Sequence, residues 1–289
     1  MTTYGWVSFT TDYGTADGFV AACKGVIATI SPATRVIDVT HEVPARDVRR
    51  GAAVLAQAAP WLPPAVHLAV VDPGVGTDRR GVALRTPRGV LVGPDNGLLV
   101  PAAEALGGIE GAYVLTEPGF QLPEVSRTFH GRDVFAPAAA HLCRGVDPAR
   151  LGPPVAANDL RRLPDPRVEV GDGSLRAEVL TVDAFGNVQL AATAADLAAA
   201  GLVPGAAVTV SRSGPTGAAD AADFGERAWP ASVGATFADA AAGELLVLVD
   251  SAGHVAVAVN GANAAAALGV RDGDELLMCA RFPDLTPAY

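Results

Sequence analysis

Along the first half of the chain, short runs of consecutive apolar residues alternate with longer stretches of helical spacing. Val7–Thr10 reads as a buried strand, followed by a loop that holds Asp12 and Gly14. Gly18–Ser31 reads as a helix, Arg35–Val39 as a second strand, and Asp47–Pro60 as an alanine-rich helix stopped by its proline. Ala65–Val71 is a third strand, ending at Asp72-Pro73-Gly74. Gly81–Arg85 and Gly89–Val92 form a strand pair about the turn Thr86-Pro87-Arg88-Gly89, and Leu98–Leu106 and Val134–Cys143 are further helices. Strand–helix alternation of this kind predicts an α/β domain with a mostly parallel sheet.

Beyond Asp147 the pattern changes. Pro148, Pro153, Pro154, Pro164 and Pro166 crowd the stretch 147–166, too densely for a helix or a sheet interior, which predicts a linker. Short strands then follow at Arg176–Val182, Ala206–Ser211, Glu244–Val249 and Val255–Val259, separated by glycine turns. They predict a small all-β domain, a barrel or a sandwich. Residues 211–230 are polar, rich in Gly and Ala and irregular, which predicts a mobile loop. The expected organisation is an α/β domain over 1–155, a linker over 156–168 and a barrel-like domain over 169–289.

Composition narrows the function. The 289 residues are half apolar, yet no run is long enough to span a membrane. The first residues lack the basic and apolar regions of a secretory signal, so a cytoplasmic protein is expected. The formal charge of -10 argues against nucleic acid, whose phosphates want a basic face, and suits a cationic small molecule. Cys23, Cys143 and Cys279 lie far apart, with no CxxC pair, and read as reduced, mostly buried thiols. The five histidines form no HxH or HxxxH pair, so no metal site is expected.

Four stretches join Gly-rich backbone to charged groups. Thr11-Asp12-Tyr13-Gly14-Thr15-Ala16-Asp17-Gly18 follows the first strand, at the edge where open α/β sheets bind ligands. A carboxylate there can accept both hydrogen bonds of a ribose diol. Asp72-Pro73-Gly74-Val75-Gly76-Thr77-Asp78-Arg79-Arg80 follows the third strand, with Asp72 and Arg79 spaced to pair across the turn. Thr128-Phe129-His130-Gly131-Arg132-Asp133 precedes a helix and offers His130 for proton transfer near neutral pH. Asp183-Ala184-Phe185-Gly186-Asn187 ends a strand of the second domain, and its carboxylate, ring and amide suit an ammonium group and an adenine. Alone, each stretch also reads as ordinary structure: an N-cap with a turn, a salt bridge, a structural histidine, a β-turn.

Together with Thr40-His41-Glu42-Val43-Pro44, Gly93-Pro94-Asp95-Asn96-Gly97-Leu98 and Thr236-Phe237-Ala238-Asp239-Ala240, these stretches run in order along nearly the whole chain. In that order the sequence resembles the S-adenosylmethionine (SAM) hydroxide adenosyltransferases, relatives of the fluorinase and the chlorinase. The resemblance implies an N-terminal α/β domain, a C-terminal β-barrel and a homotrimer with active sites between subunits. It implies that Asp12 binds the ribose and that Asp17 lies at the methionine end. Asp183, Phe185 and Asn187 match residues that hold the methionine amine and the adenine. Ser251 matches a serine near the methionine carboxylate and Phe237 a ring of the adenine pocket; Phe129, the ring beside His130, joins the substrate-binding set.

Asp72, Arg79 and His130 fall where the water-using members carry Asp, Arg and His around the attacked carbon. The halogenases have a tyrosine in place of Asp72; the fluorinase also has a serine in place of Gly131 and an insertion after the second motif that is absent here. A carboxylate in a small halide pocket would repel the anion, whereas it can orient a water and help take its proton. The expected reaction is displacement at ribose C5′ by water or hydroxide, giving adenosine and L-methionine, with SAM as substrate and no cofactor. Either His130, or Asp72 tuned by Arg79, is the proton acceptor. The resemblance departs at Ala252, Arg46 and Phe19, where the halogenases carry an arginine, an aromatic and a serine. A SAM-dependent chlorinase and a non-catalytic SAM- or adenosine-binding module are the alternatives.

Overall fold

A computed structural model describes residues 3–213 and 227–281. The chain divides into two compact units after Pro164. In the first, β1 (Trp6–Thr11), β2 (Arg35–Thr40), β3 (Ala65–Val70), β4 (Gly81–Thr86), β5 (Gly89–Pro94) and β6 (Gly111–Val114) form one sheet in the order β2-β1-β3-β5-β4-β6. Four helices cover it: α1 (Phe19–Ile30), α2 (Val48–Ala58), α3 (Val100–Ala105) and α4 (Ala136–Cys143).

Alternation along the strands builds two cores, one per face. Val66, Leu68 and Val70 of β3 join Ile27 of α1 and Leu142 of α4, while Ala69 and Val71 join Leu55 of α2 and Ala102 of α3. Every residue of β3 is buried, which is why the sequence there is a continuous apolar run.

The sheet is mixed, which corrects the expectation of a mostly parallel one. β2, β1, β3 and β5 run parallel, but β4 pairs antiparallel with both β5 and β6. The reason is local: the tight turn Thr86–Gly89 folds β4 back on β5, as the strand pair in the sequence required, so β4 alone runs against the other five strands. Helix ends differ slightly from expectation. Residues 59–61 continue α2 as a 3-10 turn, and a π-helical turn, Gly131–Phe135, precedes α4. The proline-rich stretch includes the short 3-10 turns Pro148–Arg150 and Ala157–Asp159 and pairs Pro154 with Tyr113 of β6.

In the second unit, β7 (Val168–Gly171), β8 (Ser174–Val182), β9 (Val188–Thr193), β10 (Ala207–Ser213), β11 (Ala228–Val233), β12 (Leu245–Val249), β13 (His254–Val259) and β14 (Glu275–Ala280) form the second sheet. Pairing of β14 with β8 closes a seven-stranded barrel, with β7 added beside β8. Leu175, Val179, Leu190, Val210, Val257 and Met278 fill its core. The helices α5 (Ala194–Ala199) and α6 (Ala264–Leu268) complete the unit. Closure leaves few exposed strand edges. Residues 211–213 end β10 and 228–230 begin β11, so the ends of the expected loop are strand; its middle, 214–226, lies outside the described residues. Among the described residues no helix is long and apolar enough to cross a membrane. Cys23 and Cys143 are buried and Cys279 is half-buried, all as free thiols.

Candidate functional site

The first unit holds its charged motifs at one edge. The chain leaves β1 for β2 on one side and returns to β3 on the other, which makes the C-terminal ends of β1 and β3 a topological switch point. Their register sets Thr11 beside Val70, so the loops carrying Asp12 and Asp72 leave the sheet side by side. Asp12, Tyr13, Phe19, Asp72, Val75, Phe129, His130 and Gly131 line the recess between them.

A close backbone approach and a buried carboxylate bring the third motif in. A side chain on Gly76 (φ 78°) would put its Cβ 2.5 Å from the Arg127 carbonyl oxygen, so only glycine lets the second motif lie against the segment that leads to His130. Asp133, fully buried, accepts from the Ser126 N–H and from Arg132, which ties that segment to the π-helical turn. Such π-turns recur at functional sites.

In the recess, Arg79 donates from Nε to Asp72 Oδ1 at 3.1 Å and from Nη2 to Asp72 Oδ2 at 2.5 Å. The same Nη2 lies 3.1 Å from His130 Nδ1. Guanidinium has no acceptor atom, so His130 Nδ1 accepts and its proton, when neutral, sits on Nε2. The Asp72 and Arg79 side chains are only 6% and 10% exposed. Burial pushes the Asp72 carboxyl above the usual carboxylate range, outweighing the opposing pull of Arg79 and His130. Burial and the Arg79 charge push His130 below the usual imidazole value, against the pull of Asp72 and Asp133. The three expected catalytic residues therefore form one chain of contacts: Asp72, Arg79, His130.

Asp12 accepts the Arg46 N–H on Oδ2 at 2.8 Å, and among the described residues no donor reaches Oδ1. Arg46 adopts φ 67°, an uncommon conformation for a residue with a side chain. Phe129 packs edge-on against Tyr13 and Phe19, forming an aromatic rim. Asp17 is exposed and does not line the recess.

The motif Pro94-Asp95-Asn96-Gly97-Leu98 acts as a support. Asn96 Nδ2 donates to the Val71 carbonyl at 2.9 Å, next to Asp72, and Asp95 pairs with Arg80, the neighbour of Arg79. Neither role is visible in the sequence, because both partners are distant along the chain.

In the barrel unit a second surface gathers expected residues. Phe185, Asn187, Phe237, Val259, Gly261, Ala262 and Asn263 line one groove. Phe185 is 80% and Phe237 50% exposed, high for rings of that size. Asp183 shapes the turn rather than lining the groove: Oδ1 accepts the N–H groups of Phe185 and Asn187, both at 2.9 Å, and Oδ2 accepts Asn187 Nδ2. Asp239 accepts the Ala235 and Thr236 N–H groups in a capping box that fixes Phe237. Ser251 sits in the exposed turn between β12 and β13, apart from the groove lining. Asn263 was missed by sequence reasoning. It caps α6 and presses against Gly186, where a Cβ would lie 2.1 Å from its side chain. The Asn-Ala-Ala-Ala cap signature was its only sequence signal.

Comparison with known proteins meets this geometry. Residues 7–152 match the SAM hydroxide adenosyltransferase N-terminal domain, and residues 177–277 match the C-terminal domain of the same name. The "(R)-S-adenosyl-L-methionine hydrolase" of Salinispora tropica is 57% identical over 275 residues, covering 95% of this chain and 98% of that protein. Its counterpart in Thermus thermophilus is 41% identical, covering 92% and 96%. The crystal structure of an uncharacterized conserved protein from Thermotoga maritima superposes with a TM-score of 0.85 at 35% identity, covering 94% and 99%.

Proposed function

The chain belongs to the SAM hydroxide adenosyltransferase family, and on that premise we infer that it hydrolyses (R)-S-adenosyl-L-methionine to adenosine and L-methionine. The observation that carries the reading is the Asp72–Arg79–His130 chain in a recess at the switch point of an α/β sheet. A water oxygen attacks C5′ of the ribose. The C5′–O bond forms as the C5′–S bond breaks, and the sulfur keeps the electron pair, leaving methionine as a neutral thioether.

The attacking oxygen becomes strongly acidic as it gains its bond to carbon, so a carboxylate is a sufficient base. Of the two candidates for the proton, Asp72 is favoured. The His130 Nδ1 lone pair faces Arg79, whereas the Asp72 carboxylate keeps one lone pair beyond those given to Arg79 and to the Gly74 N–H. Burial makes that carboxylate a stronger base than usual. Arg79 holds Asp72 in place, and neutral His130 offers its Nε2–H to an oxygen in the recess. The sulfonium charge and the Asp72 carboxylate charge both disappear along this path, so a dry site favours it.

Asp12 would take the ribose hydroxyls on its unengaged oxygen, with Phe129 at the rim and Asp17 towards the methionine end. Asp183, Phe185 and Asn187 would hold the methionine amine and the adenine, with Phe237 in the adenine pocket, and Ser251 would lie by the methionine carboxylate. The reading includes no metal and no cofactor, a cytoplasmic homotrimer with active sites between subunits, and neither nucleic acid nor membrane as a partner. Exposed apolar rings on the barrel groove support an assembled state.

The test is turnover of SAM in water enriched in heavy oxygen. Adenosine labelled at its 5′-oxygen is expected. Unlabelled adenosine, a chlorinated nucleoside in chloride, or tight binding without product would each overturn the reading.

A further inference from the structure

Tyr13 is not among the residues the sequence singled out for chemistry, yet its hydroxyl occupies an informative place. A Cβ built on Gly131 would lie 2.1 Å from the Tyr13 hydroxyl oxygen and 3.1 Å from the ring carbon that bears it. The phenol therefore fills the space that a side chain at position 131 would need. Both residues line the recess with Asp72 and His130.

The ring is locked on two sides by Phe19 and Phe129, at centroid distances of 6.0 and 5.8 Å. Its backbone N–H is held by Thr11 Oγ1 at 3.2 Å. Among the described residues no group donates to or accepts from its hydroxyl. A fixed ring thus presents an unpaired O–H to the recess in which Asp72, Arg79 and His130 are joined to one another. Burial keeps this phenol protonated at any ordinary pH, so it acts as a donor and not as a base.

Resting on the hydrolase reading, we propose that the Tyr13 hydroxyl donates a hydrogen bond to the attacking water, orienting the lone pair that forms the bond to C5′. Water has two protons and two lone pairs. With one proton on Asp72 and one lone pair accepting from Tyr13, the remaining lone pair is directed by geometry rather than by chance. Tyr13 gives up no proton, and the step gains a fixed donor that strengthens no contact to SAM itself. The loss should therefore appear in kcat and leave KM nearly unchanged.

The experiment uses the full chain and SAM, with labelled-oxygen adenosine formation by the wild type securing the hydrolase reading first. Tyr13→Phe keeps the ring packing and is expected to lower kcat about 10- to 100-fold, with KM within twofold. Gly131→Ala collides with the hydroxyl and should be damaged more. Tyr13→Phe/Gly131→Ala removes the 2.1 Å approach to the hydroxyl and leaves the 3.1 Å approach to the ring carbon, so it should recover towards the level of Tyr13→Phe alone. Tyr13→Phe/Gly131→Ser sets a new hydroxyl close to the vacated place and should exceed the alanine double variant severalfold. Full kcat in Tyr13→Phe, or equal rates for the serine and alanine double variants, would overturn the proposal. A wild type that makes no labelled adenosine would overturn the underlying reading instead.

Discussion

Changing Asp72 to Asn separates the two jobs of the Asp72–Arg79 pair, chemistry and charge compensation. The side chains are 6% and 10% exposed, so the variant leaves the Arg79 guanidinium nearly buried without its counter-charge. Removing one partner of such a pair costs about 3–5 kcal/mol of stability, because the remaining charge loses its partner and cannot return to water. Here the cost should fall near the lower end, since Asn still offers one oxygen to Arg79. The loss of a positioned base should lower kcat about 10²- to 10⁴-fold. Arg79→Met alone should also destabilise, by leaving the carboxylate buried. The double variant Asp72→Asn/Arg79→Met removes both charges and should recover most of the stability while staying as inactive as Asp72→Asn. Denaturant unfolding with a fixed slope and chromatographic measurement of adenosine read the two quantities independently. An Asp72→Asn enzyme with wild-type kcat, or a double variant that regains activity with its stability, would refute the assignment.

Three further outcomes are expected. kcat/KM should rise with pH between about 4 and 6.5 and level off near neutrality. Asp72, raised by burial, loses its proton above the ordinary carboxylate range, and His130, lowered by burial and Arg79, becomes neutral below the ordinary imidazole range; a rate that falls as pH rises towards neutrality would contradict these charge states. His67 is 1% exposed and its value is lowered by burial to about 4, so it folds as a neutral ring. The unfolded chain takes up this proton first, so the contribution is whole above about pH 6.5 and drains away towards pH 4, by about 3 kcal/mol. His67→Asn should flatten that acid limb in unfolding measurements, and an unchanged slope would count against it. Phe185→Ala and Phe237→Ala should each raise KM for SAM about tenfold, as expected for losing a ring stacked on a base, with kcat little changed; a kcat effect without a KM effect would place the rings elsewhere in the reaction.

Much of the site could be read in one dimension because its parts are local. Asp12 and Asp72 follow apolar strands directly, and turn glycines mark the loops that carry them. Asp72 and Arg79 sit seven residues apart, a span that one tight turn closes. Phe185 and Asn187 flank Gly186, whose φ of 86° is the turn chemistry the sequence announces. Other parts stayed hidden. Asp183 reads as a ligand for an ammonium group, and the structure adds a second role the sequence does not announce: its oxygens also hold its own turn. Tyr13 reads as a loop residue until Gly131 is seen beneath its hydroxyl.

The sequence by itself determined the elements, the two-part organisation of α/β and all-β segments, the family and the residue types at the reacting end. Each depends on periodicity, turn residues or the order of motifs, which are properties of neighbours along the chain. Tertiary structure alone decided that the first sheet is mixed, that β14 closes the barrel on β8, and that β1 and β3 lie side by side in the register that joins Asp12 to Asp72. Strand order and register follow from which apolar faces fit together across tens of residues. No local pattern encodes that fit, so His130 meets Arg79 only once the folded core has brought residues 79 and 130 together.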